Sequence, residues 1–196
     1  KPFIAVDHML AHLYAPMLSE DVDYPFLGLL VSGGHSIICR VDDFDAITVL
    51  GTTIDDAVGE AFDKVSKFYG FGYPGGVYID RLAKNGDSNA FKFPLPNLYK
   101  GEHRYDVSYS GLKTAVINQI EQFRQTDAKG NPAALSPENI AASFQKTAID
   151  ILLRSLFRAV EDTGLTTVVA GGGVAANSYL RQCLAERKDV RCLFPP

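Results

Sequence analysis

Two of the four histidines of this chain, His8 and His12, stand four positions apart in the stretch DHMLAH. One helical turn separates them, so both imidazoles fall on one face and could share a divalent cation. Asp7 is placed to cap that helix and Pro16 to end it. A zinc protease of the HExxH kind needs a glutamate directly after the first histidine as general base. Met9 stands there, and no carboxylate lies between the two histidines, so the protease reading lacks its base. Two histidines do not complete a metal site. The spacing leaves half of a metal site and a satisfied surface pair equally open. His103, in GEHRY, has no partner by spacing and reads as incidental.

Three glycine clusters carry the second signal. VSGGHS (31–36) joins two apolar runs through Gly33 and Gly34. It reads either as an ordinary hairpin, whose turn calls for positive φ, or as a nest of backbone N–H groups around a phosphate with Ser32 and His35 at its rim. AGGGVAAN (170–177) is stronger, because an apolar strand runs into three glycines and then a helix. Such a junction places unpaired N–H groups and a positive helix end beside open backbone. It lacks both GxGxxG and the Lys-Ser/Thr of a P-loop. A ligand is the favoured reading, with Gly172 and Gly173 in the turn and Asn177 available to a ribose or base. YPGG (73–76) is the third cluster.

Acidic residues point toward the same place. Asp56, Glu60 and Asp63 fall at spacings of four and three, opposite an apolar helix face made by Val58, Ala61, Phe62, Val65, Phe68 and Tyr69. They read as a solvated stripe with an Asp63–Lys67 pair, or, taken with the glycine loops, as one wall of a nucleotide cleft.

The elements that must position these groups follow from periodicity. PFIAV (2–6), FLGLLVS (26–32), SIICRV (36–41), AITVL (46–50), TTVVA (166–170) and VRCLF (190–194) read as strands, the second to fourth in antiparallel meander order. Helices are expected after Asp7, from about Asp55 to Gly70, over VYIDRLAKNG, over GLKTAVINQIEQF, from Ser136 through Pro137 to Gly164, and directly after the GGG turn. FPLP is an extended link. The pattern is α/β. A net charge of −4 excludes a global positive field for nucleic acid, so basic surface for such a partner must be local or come from another subunit. The three cysteines form no CxxC and read as reduced thiols of a cytoplasmic protein. No run approaches the ~18 apolar residues of a membrane span, so no membrane is expected. The chain opens directly into KPFIAV and stops at LFPP, and so reads as a piece of something longer.

Taken together, DHMLAHLYAPM, LLVSGGHS, DDAVGEAFDKVSKFYGFGYPGG, FPLP, SYSGLKTAV and AGGGVAANSYLR resemble, in order and spacing, the TsaD (YgjD, Gcp) family of tRNA adenosine threonylcarbamoyltransferases. The resemblance runs across the chain. It implies an actin-like, Hsp70-like, sugar-kinase-like fold of two RNase-H-like halves with a nucleotide between them, incomplete here. Residues 1–23 would end the first half and carry the histidine helix. Residues 24–196 would form the second half, with a helical insert at about 52–163.

The resemblance also implies the reaction, which transfers a threonylcarbamoyl group from its adenylate to the exocyclic amine of the adenosine 3′ of the anticodon, in tRNAs reading codons that begin with A. His8 and His12 match metal ligands for one divalent ion, iron first and zinc as the alternative. Val31, Ser32, Gly33, Gly34 and His35 match the ligand-phosphate loop. Asp63, Gly76, Asp80 and Asn177 match contacts to threonylcarbamoyl-adenylate or ATP/ADP, with Glu60 one turn before Asp63. The family's third metal ligand would lie beyond LFPP, and about a hundred residues would precede KPFIAV. The expected partners are tRNA, an actin-like paralogue of TsaB type and a small ATPase of TsaE type. The alternatives are a carbamoyltransferase that uses carbamoyl-adenylate on another acceptor, and a non-catalytic actin-like scaffold. No catalytic side chain is assigned, and the fragment alone is expected to be inactive.

Overall fold

The structure is a computed structural model and describes residues 2–127 and 136–195. Its centre is the run FLGLLV, strand β1 (Phe26–Val31), buried at every position. A strand covered on both faces has no reason to alternate polar and apolar residues. Leu27, Leu29 and Val31 point into a large core, while Phe26 and Leu30 point into a smaller one on the opposite face. Strands β2 (Ser36–Asp43) and β3 (Ala46–Thr52) continue from β1 as an antiparallel meander. On the other side of β1 lie β4 (Thr167–Gly171), parallel to it, and β5 (Arg191–Leu193), parallel to β4. The sheet order is therefore β3-β2-β1-β4-β5.

The smaller core is closed by helix α1 (His8–Tyr14), whose Leu13 packs with Phe26, Leu30, Cys39, Val41 and Val169. Asp7 starts it by accepting the Met9 and Leu10 N–H groups at 2.8 and 3.0 Å. The larger core lies under α2 (Val58–Tyr69), α3 (Gly75–Ala83), α4 (Ser110–Asp127), α5 (Pro137–Thr163) and α6 (Ser178–Glu186). Val58, Ala61, Phe62 and Val65 of α2 are buried, as their spacing predicts, and Phe62 meets Phe144 of α5 at 5.0 Å between ring centroids. Ser136 caps α5 through the Asn139 N–H, Pro137 is its first residue, and Gly164 ends it at φ 69°. No described helix is long and apolar enough to cross a membrane.

Five local expectations are corrected. PFIAV is not a strand: no strand pairs with it among the described residues, and Phe3, Ile4 and Val6 are exposed. Asp56 precedes α2 instead of riding on it, so the three acids form no helical stripe. Lys64, not Lys67, takes the carboxylates there, from Asp56 at 2.7 Å and from Glu60 at 2.8 Å. His103 does have a partner, Asp106 Oδ2, 2.8 Å from its Nδ1. The GGG turn does not enter a helix directly, because a short 3-10 turn (Gly173–Ala176) intervenes before Asn177 caps α6.

Two consecutive carboxylates fasten the helical layer. Asp55 Oδ1 accepts the N–H groups of Tyr109 and Ser110 at 2.8 and 3.3 Å, and its Oδ2 accepts the Ser108 hydroxyl at 2.5 Å. The start of α4 is thus capped from far upstream. Asp56 takes Lys64 and Lys113, each at 2.7 Å. Burial acts to raise the Asp56 pKa, but hydrogen bonds from the two ammonium groups outweigh it and hold the carboxyl below its ordinary value. The stability it lends is therefore present at neutral pH and lost as the pH falls through the acid range. Asp55→Ala should cost about 1–2 kcal/mol, the worth of a helix cap, read as a lower urea midpoint at unchanged slope.

Candidate functional site

The chain leaves β1 toward β2 on one side and leaves β4 toward β5 on the other, so the two strands part at their carboxyl ends. In α/β sheets such a switch point opens a crevice. Here its walls are brought together by backbone touching backbone. A side chain on Gly59 would meet the Ser32 carbonyl oxygen at 2.5 Å, and one on Gly75 would meet the Phe62 carbonyl oxygen at 2.5 Å. Gly172, at φ 93°, lies against the Val31 carbonyl.

The result is a cleft of about 590 Å³ between α2, α3 and the turn after β4. Gly33, Asp63, Gly76, Asp80, Gly173 and Asn177 all line it, so six positions singled out in the sequence converge from four separate segments. The others lie around it or away from it. Val31 is buried at the strand end. Ser32 shapes the loop: its N–H donates to the His35 carbonyl at 2.8 Å, and its hydroxyl oxygen accepts the Gly34 and His35 N–H groups at 3.3 and 3.1 Å. That four-residue closure needs no left-handed residue, and neither Gly33 nor Gly34 has positive φ, contrary to the hairpin expectation. Gly34 and His35 are exposed, and Glu60 is occupied by Lys64 and by the Ala57 N–H at 3.4 Å.

Several polar groups at the cleft also hold it together. Asp63 Oδ1 accepts the Gly75 N–H at 2.7 Å, at the start of α3. Asp80 Oδ1 accepts the Ser178 hydroxyl at 2.6 Å and the Ser178 N–H at 3.1 Å, tying α3 to α6. Asn177 accepts the Leu180 N–H at 3.0 Å and donates to Gln145 Oε1 at 2.9 Å and Asp80 Oδ1 at 3.3 Å. Its amide is thus held in place at the cleft wall, with one lone pair of Oδ1 not committed to these bonds. The N–H groups of Gly33, Gly76 and Gly173 make no hydrogen bond among the described residues. These three glycines have open space where a Cβ would stand, and none has positive φ. Three unpaired donors, one of them in the first turn of α3 beside the Gly75 N–H that Asp63 takes, suit an anionic ligand.

Arg81 and Lys84 also line the cleft without a carboxylate partner among the described residues, and the sequence reading missed them. Their signal was the spacing of four and seven from Val77, which puts Arg81 and the following Lys84 on one face of α3 and its end. His8 and His12 lie outside the cleft lining, with ring centroids 4.5 Å apart on the accessible side of α1. Two adjacent imidazoles fit a divalent ion as part of a donor set. No group of three His, Cys, Asp or Glu side chains suited to a metal occurs among the described residues. The thiols offer no nucleophile: burial pushes Cys39 and Cys192 up to about 11 and raises Cys183 as well.

Comparison with known proteins gives one consistent answer. The family model described as "TsaD: tRNA N6-adenosine threonylcarbamoyltransferase" matches residues 1–196. Curated proteins of that name are 66% identical over 195 residues in Treponema denticola and 57% identical over 194 residues in Treponema pallidum strain Nichols. A third, from Borrelia garinii, is 50% identical over 196 residues. The matches cover 99–100% of this chain but only 54–56% of the relatives, so the chain spans about half their length. Among solved structures, HypF of T. kodakarensis superposes with a TM-score of 0.70 at 14% identity, over 95% of this chain and 33% of that one. The activator of 2-hydroxyisocaproyl-CoA dehydratase from Clostridium difficile gives 0.54 at 13% identity, over 95% and 59%. At such identities the likeness shows the fold, an actin-like α/β architecture.

Two classes of glycine at the cleft predict opposite outcomes. Gly59→Ala should lose about 1–3 kcal/mol of stability, because its Cβ meets backbone that cannot rotate away. Gly33→Ala and Gly76→Ala should unfold at the wild-type midpoint to within about 0.5 kcal/mol. Urea titration of the three variants makes the comparison.

Proposed function

The chain belongs to the TsaD family of tRNA N6-adenosine threonylcarbamoyltransferases, and on that basis we propose that it supplies, within its full-length protein, much of the cleft for threonylcarbamoyl transfer to tRNA. The donor is threonylcarbamoyl-adenylate. The acceptor is the exocyclic amine of the adenosine 3′ of the anticodon, in tRNAs reading codons that begin with A. The observation that carries the reading is the set of three unpaired glycine N–H groups, from Gly33, Gly76 and Gly173, around one cleft with open space at each α-carbon.

The donor is a mixed anhydride and already activated, so the protein needs no nucleophile, in keeping with the raised thiols. The amine nitrogen bonds to the carbamoyl carbon, the carbon–oxygen bond to phosphate breaks, and AMP leaves with the electron pair while the amine loses a proton. The Gly33, Gly76 and Gly173 N–H groups, with Arg81 and Lys84, would receive the phosphate as its charge grows. Asp63 and Asp80 would meet the ribose or amine donors through the oxygens their internal bonds leave over. His8 and His12 would be two ligands of a divalent ion, iron or zinc, which when bound supplies Lewis acidity and a template. ATP or ADP would fit the same cleft.

Net charge of −4 argues for basic surface brought to the tRNA by a partner; membership of the family suggests an actin-like paralogue of TsaB type and a small ATPase of TsaE type for that place. A cytoplasmic setting follows from tRNA as substrate.

The test uses full-length protein with these partners, ATP, tRNA and threonylcarbamoyl-adenylate labelled in its threonine, with carbamoyl-adenylate labelled in its carbamoyl carbon supplied in parallel. Label on tRNA is expected, abolished by a chelator and lowered on the order of a hundredfold by His8→Ala/His12→Ala. No threonine label on tRNA, but transfer of the carbamoyl carbon of the second donor to a small acceptor, would move the assignment to a carbamoyltransferase. Cys183→Ala/Cys192→Ala should leave transfer within twofold of wild type, which a thiol intermediate would not allow.

A further inference from the structure

The cleft has a neighbour. A second recess of about 610 Å³, walled by Asp63, Lys64, Lys67, Gly70, Gly72 and Tyr73, lies beside it and shares Asp63 and Tyr73 with it. We propose that this recess receives the acceptor adenosine of the tRNA, with the Tyr73 ring stacking on a base and the Lys67 ammonium meeting an adjoining phosphate. The proposal rests on the transfer reading above and assigns the nucleic-acid side of that site.

Four observations support this occupant. Tyr73 is 79% exposed, and among the described residues its ring stacks on nothing and its hydroxyl makes no hydrogen bond. A single exposed aromatic is ordinary on a surface, but this one stands on the wall between two hollows. Lys67 is exposed and has no carboxylate partner among the described residues, whereas its neighbour Lys64 is held by both Asp56 and Glu60. The recess therefore keeps one uncommitted cation, although carboxylates are close at hand. The turn that presents the ring is tied down: the Gly70 and Phe71 N–H groups both donate to the Ser66 carbonyl at 2.9 Å, and the Ser66 hydroxyl donates to the Gly72 carbonyl at 2.7 Å. Tyr73 is thus displayed from a defined backbone and not from a frayed loop.

Chemistry selects the same arrangement. The acceptor amine has to reach the donor carbonyl while the adenylate fills the cleft. A base carried on a macromolecule must therefore reach it from a neighbouring hollow, and the recess adjoins the cleft at Asp63 and Tyr73. Proteins that read single-stranded RNA loops pair an aromatic platform with a cation for the backbone. Tyr73 and Lys67 supply one of each.

The experiment measures binding of an unmodified tRNA, and threonine incorporation into it, by full-length protein with its partners. Tyr73→Ala should raise the Kd and KM for tRNA on the order of tenfold, the effect of losing one stacked base, while Tyr73→Phe should match wild type. Lys67→Ala should flatten the dependence of log Kd on log salt by about 0.7–0.9, the signature of one lost phosphate contact. Affinity for ATP should stay within twofold in the Lys67 variant and change less than tRNA affinity in the Tyr73 variants.

Unchanged tRNA binding and salt slope in active variants would overturn the assignment while leaving transfer intact, as would loss of ATP affinity equal to the loss of tRNA affinity. If wild type incorporates no threonine yet binds tRNA with these dependences, the transfer reading fails, and with it the acceptor role of the recess, which would then be a tRNA-binding surface only. If wild type does not bind tRNA, the recess assignment falls.

Discussion

The structure depends on one close approach, the parallel pairing of β1 with β4 carried through to its carboxyl end. Leu30 pairs with Gly171, and the residues that follow, Val31 and Gly172, stay in backbone contact as the chains diverge. On the other face of the sheet, Gly171 lies against the His12 carbonyl. A methyl group on Gly171 would push α1 away from β4, and one on Gly172 would push the end of β1 away from the turn after β4. The histidine pair and the cleft belong to opposite sides of this one junction, so their separation is set by packing that has little freedom to change. This is how a helix outside the cleft can still be held in fixed relation to it.

A second constraint is polar. Asp55 and Asp56 are adjacent in sequence and fasten different things, the start of α4 and the lysines of α2 and α4. Both contacts pin the loop after β3 to the helical layer over the large core. Asp80 does similar work at the other end, binding α3 to the start of α6. The residues that shape the cleft are therefore carboxylates spent largely on the protein itself. Only oxygens not committed to these bonds remain for a ligand.

Much of this was legible in the sequence, and the failures have physical causes. FLGLLV, the meander and the α5 caps were readable because burial on both faces, short turns and capping chemistry are local signals. The convergence of the glycine clusters was legible because each breaks a periodic element at its carboxyl end. PFIAV misled because apolar content does not make a strand without a neighbour to pair with. Asp56 was placed on a helix because its spacing fitted, but its long-range lysine, Lys113, holds it off the helix axis. The bonds that hold Asn177 were not legible either: Gln145 and Asp80 come from distant segments, and nothing local announces them. Arg81 and Lys84 were missed because a cation on a helix is ordinary until the cavity beside it is known.

The glycines separate folding from ligand binding. Gly28, Gly51, Gly59, Gly75, Gly171 and Gly172 are each hemmed in by atoms a side chain would strike. Folding explains them. Gly33, Gly34, Gly76 and Gly173 are not hemmed in and do not use left-handed backbone. At these positions alanine would fit the described structure and would restrict the unfolded chain, so folding alone favours replacing the glycine. Gly33, Gly76 and Gly173 line a single cleft, whereas Gly34 and Gly111, open in the same way, do not, and the N–H groups of the three find no acceptor among the described residues. A constraint that folding does not supply must come from what approaches the backbone there, and unpaired amides with no side chain in the way are suited to an anion in close contact.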